Sequence, residues 1–177
     1  MAWLGKAMKF LGGVLLVVLA ILVANTLRLP DLPAADGAKF PPIKDLDAAA
    51  KRLSAAIQIP TISHGFANPP GGNRFPDLHK LIEESFPLVH KHLKREIVAE
   101  SSLLYTWEGS DKSLPPILLS GHQDVVPIEP GTEQKWTHPP FSGQIADGFI
   151  WGRGTLDNKQ QVMATLEGVE RLIAEGY

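Results

Sequence analysis

Leu118-Leu119-Ser120-Gly121-His122-Gln123-Asp124-Val125-Val126-Pro127 is the stretch on which the rest of the chain turns. The apolar run Ile117 to Leu119 predicts a buried strand that stops at Ser120-Gly121. His122 and Asp124 follow at its carboxyl end. In extended backbone, residues i and i+2 share a face, so the two side chains are expected to point the same way. Imidazole is a natural zinc ligand, and a carboxylate on its other ring nitrogen usually orients it. Asp124 is placed for that duty. Taken alone, His-x-Asp reads more readily as a polar pair in a loop.

A second stretch shifts the balance. Gly152-Arg153-Gly154-Thr155-Leu156-Asp157-Asn158-Lys159 follows a short predicted strand and opens a helical pattern. Between the two lies Trp136-Thr137-His138-Pro139-Pro140-Phe141. Together these motifs resemble the M20 family of metallopeptidases, and most closely its branch of Gly-Xaa carboxypeptidases and secreted N-acyl amino acid hydrolases. Ile57-Gln58-Ile59-Pro60-Thr61 fits the same branch, and the resemblance runs from Asp45 to Tyr177. It implies an α/β fold: the N-terminal part of an M20-type di-zinc, aminopeptidase-like catalytic domain, with helices packed on a mixed sheet. It implies that His122 ligates one of two zinc ions, that Asp157 bridges both, and that Asp124 orients His122 in the catalytic site. The substrates it implies are small peptides or N-acyl amino acids, cut at an amide bond beside a free carboxylate.

The sequence departs from the family in one respect. The family carries a Glu-Glu pair downstream of the bridging aspartate, as general base and metal ligand, then a further acidic ligand, a histidine and an inserted lid. Here no Glu-Glu follows Asp157, and Glu83-Glu84 precedes both motifs. The expectation is therefore an N-terminal portion carrying part of a site, inactive by itself. The alternative is a non-catalytic, membrane-tethered remnant with an incomplete metal site.

The glycines and the aspartate of the second motif also carry physical expectations. Gly152 and Gly154 allow a tight turn that brings Asp157 back toward the strand ends. A position at a helix start favours an ionised carboxylate. In an α/β layer fold, ligands collect outside the carboxyl ends of strands, where His122 and Asp124 are expected.

The 177 residues are 44% hydrophobic with a formal net charge of −2, enough for one modest domain and with no basic excess to suggest nucleic acid. The absence of cysteine excludes disulfides and thiolate zinc sites. Phe10 to Ala24 carries no charge and follows Lys6 and Lys9; continued to Leu27, the run spans about 27 Å as a helix, close to a hydrocarbon core of about 30 Å. Val18-Leu19-Ala20 offers a signal-peptide cut only inside the apolar run, and Leu22-Val23-Ala24 has a large residue at −3. An uncleaved signal anchor over residues 1–28 fits better than a cleaved signal or a buried core helix. The positive flank is expected to leave the N-terminus in the cytoplasm and the domain on the periplasmic or extracellular side, or secreted if residues 1–28 are instead a cleaved signal peptide. Residues 29–44, rich in proline, read as a linker, and residues 45–177 as the domain.

Within that domain, Leu46, Ala49, Ala50, Leu53 and Ile57 predict a helix capped by Asp45 and ended by Pro60. Residues 66–75 read as a loop. Leu78, Leu81, Ile82 and Phe86 predict a second helix that Pro87 splits. Its His79, His90 and His92 read as solvated. Strands are expected at 96–99, 103–108 and 116–120, and a hairpin at Asp147-Gly148. Residues 158–175 predict a helix burying Val162, Leu166, Val169 and Ile173. Structural roles are expected for Arg153, Lys159 and His138, and a hydrophobic plug for Trp136, Pro140 and Phe141.

Overall fold

The computed structural model describes residues 2–29, 43–63 and 74–177. Most of the predicted linker, and residues 66–73 of the predicted loop at 66–75, lie outside the described residues. The chain divides into two units, Met1–Pro42 and Ile43–Tyr177.

In the first unit, α1 (Ala2–Leu27) absorbs the whole apolar run. Its span Gly5–Leu27 has a mean hydropathy of 2.5 and none of it is buried. By length and composition it is long and apolar enough to cross a membrane.

The second unit packs α2 (Leu46–Ile57), α3 (Phe75–Ser85), α4 (Pro87–His92) and α5 (Gln160–Ala174) around one core. Ala56, Leu78, Ile82, Phe86, Val89, Met163 and Leu166 form that core. Pro87 splits the second helical stretch as expected. Proline at the first position of α4 has no N–H to leave unpaired, and the next two amides, of Leu88 and Val89, donate to the Glu170 carboxylate of α5 at 3.0 and 2.8 Å. Met163, absent from the expected α5 face, is buried with Leu166.

Two expectations for α2 fail. Asp45 sits before the helix with φ 57° and makes no side-chain capping bond, because its left-handed backbone turns the carboxylate away from the first-turn amides. Leu46 is exposed, since a residue in the first turn overhangs the core rather than facing it.

The sheet is smaller than expected. β1 (Lys94–Val98) pairs antiparallel with β2 (Ser102–Thr106), Arg95 facing Tyr105, across a turn in which Ala99 and Glu100 both have positive φ. β3 (Ile145–Ala146) pairs with β4 (Phe149–Ile150) about Asp147-Gly148, whose φ values of 53° and 80° suit the tight hairpin expected there. No mixed sheet forms among the described residues. The expected strand at 116–120 has no ladder partner among the described residues, and Ile117, Leu118 and Leu119 are 89%, 81% and 64% exposed. A strand exists only through ladder bonds to a neighbour, which an apolar run cannot supply for itself. An apolar cavity of about 480 Å³ lies between this run, β2 and α5.

Two of the three histidines read as solvated are not. His79 is 8% exposed, and its Nε2 lies 3.0 Å from the Ser101 carbonyl oxygen. His90 is half-buried, its Nδ1 2.8 Å from the Phe86 carbonyl and its Nε2 2.9 Å from the Tyr105 hydroxyl. Both rings face the β1–β2 hairpin, a tertiary partner that helical periodicity does not reveal.

Candidate metal-binding site

The site rests on Ala56 to Ser63, where α2 ends in a turn and extended chain follows Pro60. Ile62 bridges Val125 in parallel: Val125 N–H donates to Thr61 O, and Ser63 N–H donates to Val125 O, each at 2.9 Å. The buried Thr61 hydroxyl adds a 2.5 Å bond to the Gln123 carbonyl. His122-Gln123-Asp124 is therefore held by a short parallel ladder from residues 61–63, not by the sheet that its own sequence led one to expect. The Gln123 side chain reaches the Ser101 carbonyl at 3.2 Å, tying the motif to the β1–β2 turn as well.

The second segment arrives through two glycines. Gly152 (φ 152°) and Gly154 (φ 87°) adopt backbone that L side chains rarely take, and a Cβ on either would lie 2.4 Å from Ile57 Cγ2 or Val125 Cγ1. Close approach to α2 and to the ladder thus excludes side chains at both. A wide turn, Thr155–Lys159, follows before α5. Asp157 lies in it with extended φ/ψ of −129° and 92°, and its peptide bond to Asn158 is cis. Since α5 begins at Gln160, the carboxylate stands in the turn ahead of the helix and not in its first turn.

The three residues singled out from the sequence meet. His122 Nε2 is 2.8 Å from Asp157 Oδ1. Its Nδ1 is 3.1 Å from Asp124 Oδ1 and 3.0 Å from the Asp124 carbonyl oxygen. The shared face expected of residues i and i+2 is realised in that contact. Burial acts to lower the imidazole pKa, but bonding to Asp157 and Asp124 and their negative charges outweigh it, so the pKa is raised above 6.5.

The donor set suits zinc: imidazole nitrogen and carboxylate oxygen, with the second ring nitrogen held by a carboxylate. Two ligands at about 2.0–2.2 Å in tetrahedral geometry would sit about 3.3–3.6 Å apart, so the 2.8 Å pair would need to open by about 0.5–0.8 Å. Asp157, 88% exposed, has room to do so. Among the described residues no cluster of three or more such groups converges on one point. A polar cavity of about 280 Å³ opens beside His122 and Asp124, lined also by Ser63, Phe75 and Ser102.

Lys159 is 1% exposed, and its ammonium donates to the carbonyls of Ala56 and Ile59 at 2.8 and 2.5 Å. Burial lowers its pKa to about 8. The Arg153 guanidinium lies 5.3 Å above the Trp136 ring, a cation–π contact rather than an ion pair. His138 packs edge-on to Trp151 at 4.9 Å. Sequence reasoning placed Thr61 in a family motif but missed its bonds to the His122 segment, and missed Ser63 and the Ala56 and Ile59 carbonyls. Pro60 marks where the helix ends, but nothing local says what the extended residues after it pair with.

The sequence that builds this arrangement has relatives. Residues 118–177 match the model of Peptidase family M20/M25/M40. The M20 resemblance seen in the motifs is therefore borne out, and the helix and strand content accords with such a domain. Over 172 residues the chain is 44% identical to "Probable carboxypeptidase S-like 2" of Dictyostelium discoideum, an alignment covering 92% of the chain and 33% of that protein. Over 138 residues it is 43% identical to "Carboxypeptidase S" of Saccharomyces cerevisiae, covering 74% and 24%. Over 134 residues it is 45% identical to the mouse (Mus musculus) "N-fatty-acyl-amino acid synthase/hydrolase PM20D1", covering 73% and 25%. The chain thus spans between about a quarter and a third of the length of these M20-like relatives.

Proposed function

We propose that residues 45–177 supply the His122–Asp157 part of a two-zinc hydrolase site that cuts an amide bond beside a free carboxylate. Small peptides and N-acyl amino acids are the substrates, as the relatives' names suggest. The observation that carries this reading is His122 held between Asp124 on Nδ1 and Asp157 on Nε2. The Nδ1 proton, donated to Asp124, fixes the tautomer and leaves the Nε2 lone pair for metal. Asp157 offers one oxygen toward His122 and is exposed enough to bridge a second ion with the other. Bound there, the metal pair would polarise the scissile carbonyl and lower the pKa of a water. The polar cavity beside His122 and Asp124 offers space for a small substrate.

The same reading assigns residues 1–28 to a signal anchor, residues 29–44 to a linker, and the domain to the periplasmic or extracellular side. The uncharged run after Lys6 and Lys9 supports it.

A second reading, a membrane-tethered protein that hydrolyses nothing, is favoured by the small number of converging donors among the described residues. Zn2+ titration of the full chain in detergent, followed by calorimetry, separates the two. The expected result is saturable binding, weaker than that of a complete four-ligand site. His122→Ala and Asp157→Ala should each abolish it, and Asp124→Ala should weaken it about 10–100-fold. No saturable binding leaves the second reading. Nanomolar binding lost with His122→Ala would mean that further ligands lie within these 177 residues.

A further inference from the structure

The two halves of the site come from segments 35 residues apart in sequence, yet both are fastened to one short stretch of chain. His122-Gln123-Asp124 is tied to it through the Thr61–Ser63 ladder and the Thr61 hydroxyl. The Asp157 turn is tied to it through Lys159, which donates to the Ala56 and Ile59 carbonyls. Within the turn itself, Lys159 N–H donates to Gly154 O at 2.9 Å, closing the loop over Asp157. The other polar side chains of the turn give no comparable anchor: Thr155 Oγ1 and Asn158 Oδ1 are buried without partners among the described residues, and Asp157 itself bonds to His122. No carboxylate pairs with Lys159 among the described residues. A buried ammonium without a counter-ion is costly, and carbonyls at the C-terminal end of a helix are the neutral groups best suited to receive it.

We propose that Lys159 is a positioning residue: it pins the Asp157 turn to the stretch that also holds His122, and so sets the His122–Asp157 spacing. The consequence for metal rests on the metal-site reading above; the placement of Asp157 does not.

The test uses the full chain in detergent with ¹⁵N-labelled histidine, read by the imidazole nitrogen resonances at fixed pH and by Co2+ affinity. His79 and His90 serve as internal reporters of the fold, because their rings bond to Ser101, Gln123, Phe86 and Tyr105 and not to the turn. Lys159→Met keeps the length of the side chain and removes its donors. The expected result is that the His122 resonances move to their positions in Asp157→Ala while those of His79 and His90 stay, and that Co2+ affinity falls about 10–100-fold. The chain has no cysteine, so Lys159→Cys creates a unique thiol. Aminoethylation of that thiol in the unfolded chain, followed by refolding, puts an ammonium back at nearly the same reach. It should return the His122 resonances to those of the unsubstituted chain, whereas capping with a neutral amide should not. His122 resonances unmoved in Lys159→Met overturn the proposal. So does movement of all three histidines together, which would mean a general stabilising role, or failure of aminoethylation to restore the signal. Absence of Co2+ binding by the unsubstituted chain would sink the metal reading alone, and the imidazole resonances would still decide the role of Lys159.

Discussion

The Arg52 guanidinium of α2 meets the Glu167 carboxylate of α5 at two points, Nε to Oε1 at 2.5 Å and Nη2 to Oε2 at 2.8 Å. The side chains are 30% and 15% exposed, and the Glu167 bond raises the Arg52 pKa against the opposing effect of burial. Such a forked pair fixes the angle between two helices as well as their distance. Because the pair is partly desolvated, Glu167→Ala should cost about 1.5–3 kcal/mol in denaturant unfolding of the full chain in detergent. Arg52→Met should cost a similar amount, and the double variant less than the sum of the two. Additive costs would show that the two side chains act independently.

His79 provides a pH dependence of known sign. Burial lowers its pKa below 6.5, against the bonds to Ser101 and Gln123, which act to raise it. The unfolded chain therefore takes up a proton below about 6.5 that the folded chain refuses. Stability from this residue is full above pH 6.5 and falls as the pH drops toward the lower folded value. His79→Gln, which keeps a donor for Ser101, should flatten that part of the curve. His122, whose pKa moves the other way, contributes the opposite slope. The quantity to measure is thus the difference between the two chains in urea midpoint from pH 5 to 7. A difference that does not change with pH would mean His79 is not buried as a neutral ring.

Gly154 couples stability to the site. Its φ of 87° and the Val125 methyl 2.4 Å from its would-be Cβ leave an alanine no relaxed position. Gly154→Ala should destabilise the domain by about 2 kcal/mol or more. By pushing on Val125 it should also weaken Zn2+ binding, although it touches neither His122 nor Asp157. Gly168→Ala, with open space around its Cβ on α5, is the control, and helix propensity favours it by up to about 1 kcal/mol. Equal melting temperatures for the two variants would contradict the close approach.

Lys6 and Lys9 precede the apolar run, and a single Arg28 follows it. With the N-terminus inside, protease added to intact cells or spheroplasts should digest residues 45–177. Protection of the domain until the membrane is permeabilised would rule out this topology.

Local rules in the sequence determined a good deal here. The split at Pro87 follows from a missing N–H, and the β3–β4 hairpin from two residues that accept positive φ. The contact of His122 with Asp124 follows from the period of two in extended chain. Each depends on a few neighbouring atoms and is therefore written locally. Tertiary structure alone decided the rest. Ile117 to Leu119 has a strand's composition, but a strand needs a neighbour's ladder bonds, and none reaches it among the described residues. His79 has the flanks of a surface residue, but the β1–β2 turn covers it. The family motif named Asp157 and His122 as partners. Their 2.8 Å contact exists because Thr61 and Lys159 fasten both segments to the end of α2, and bonds between residues about 60 to 100 positions apart leave no local pattern in the sequence.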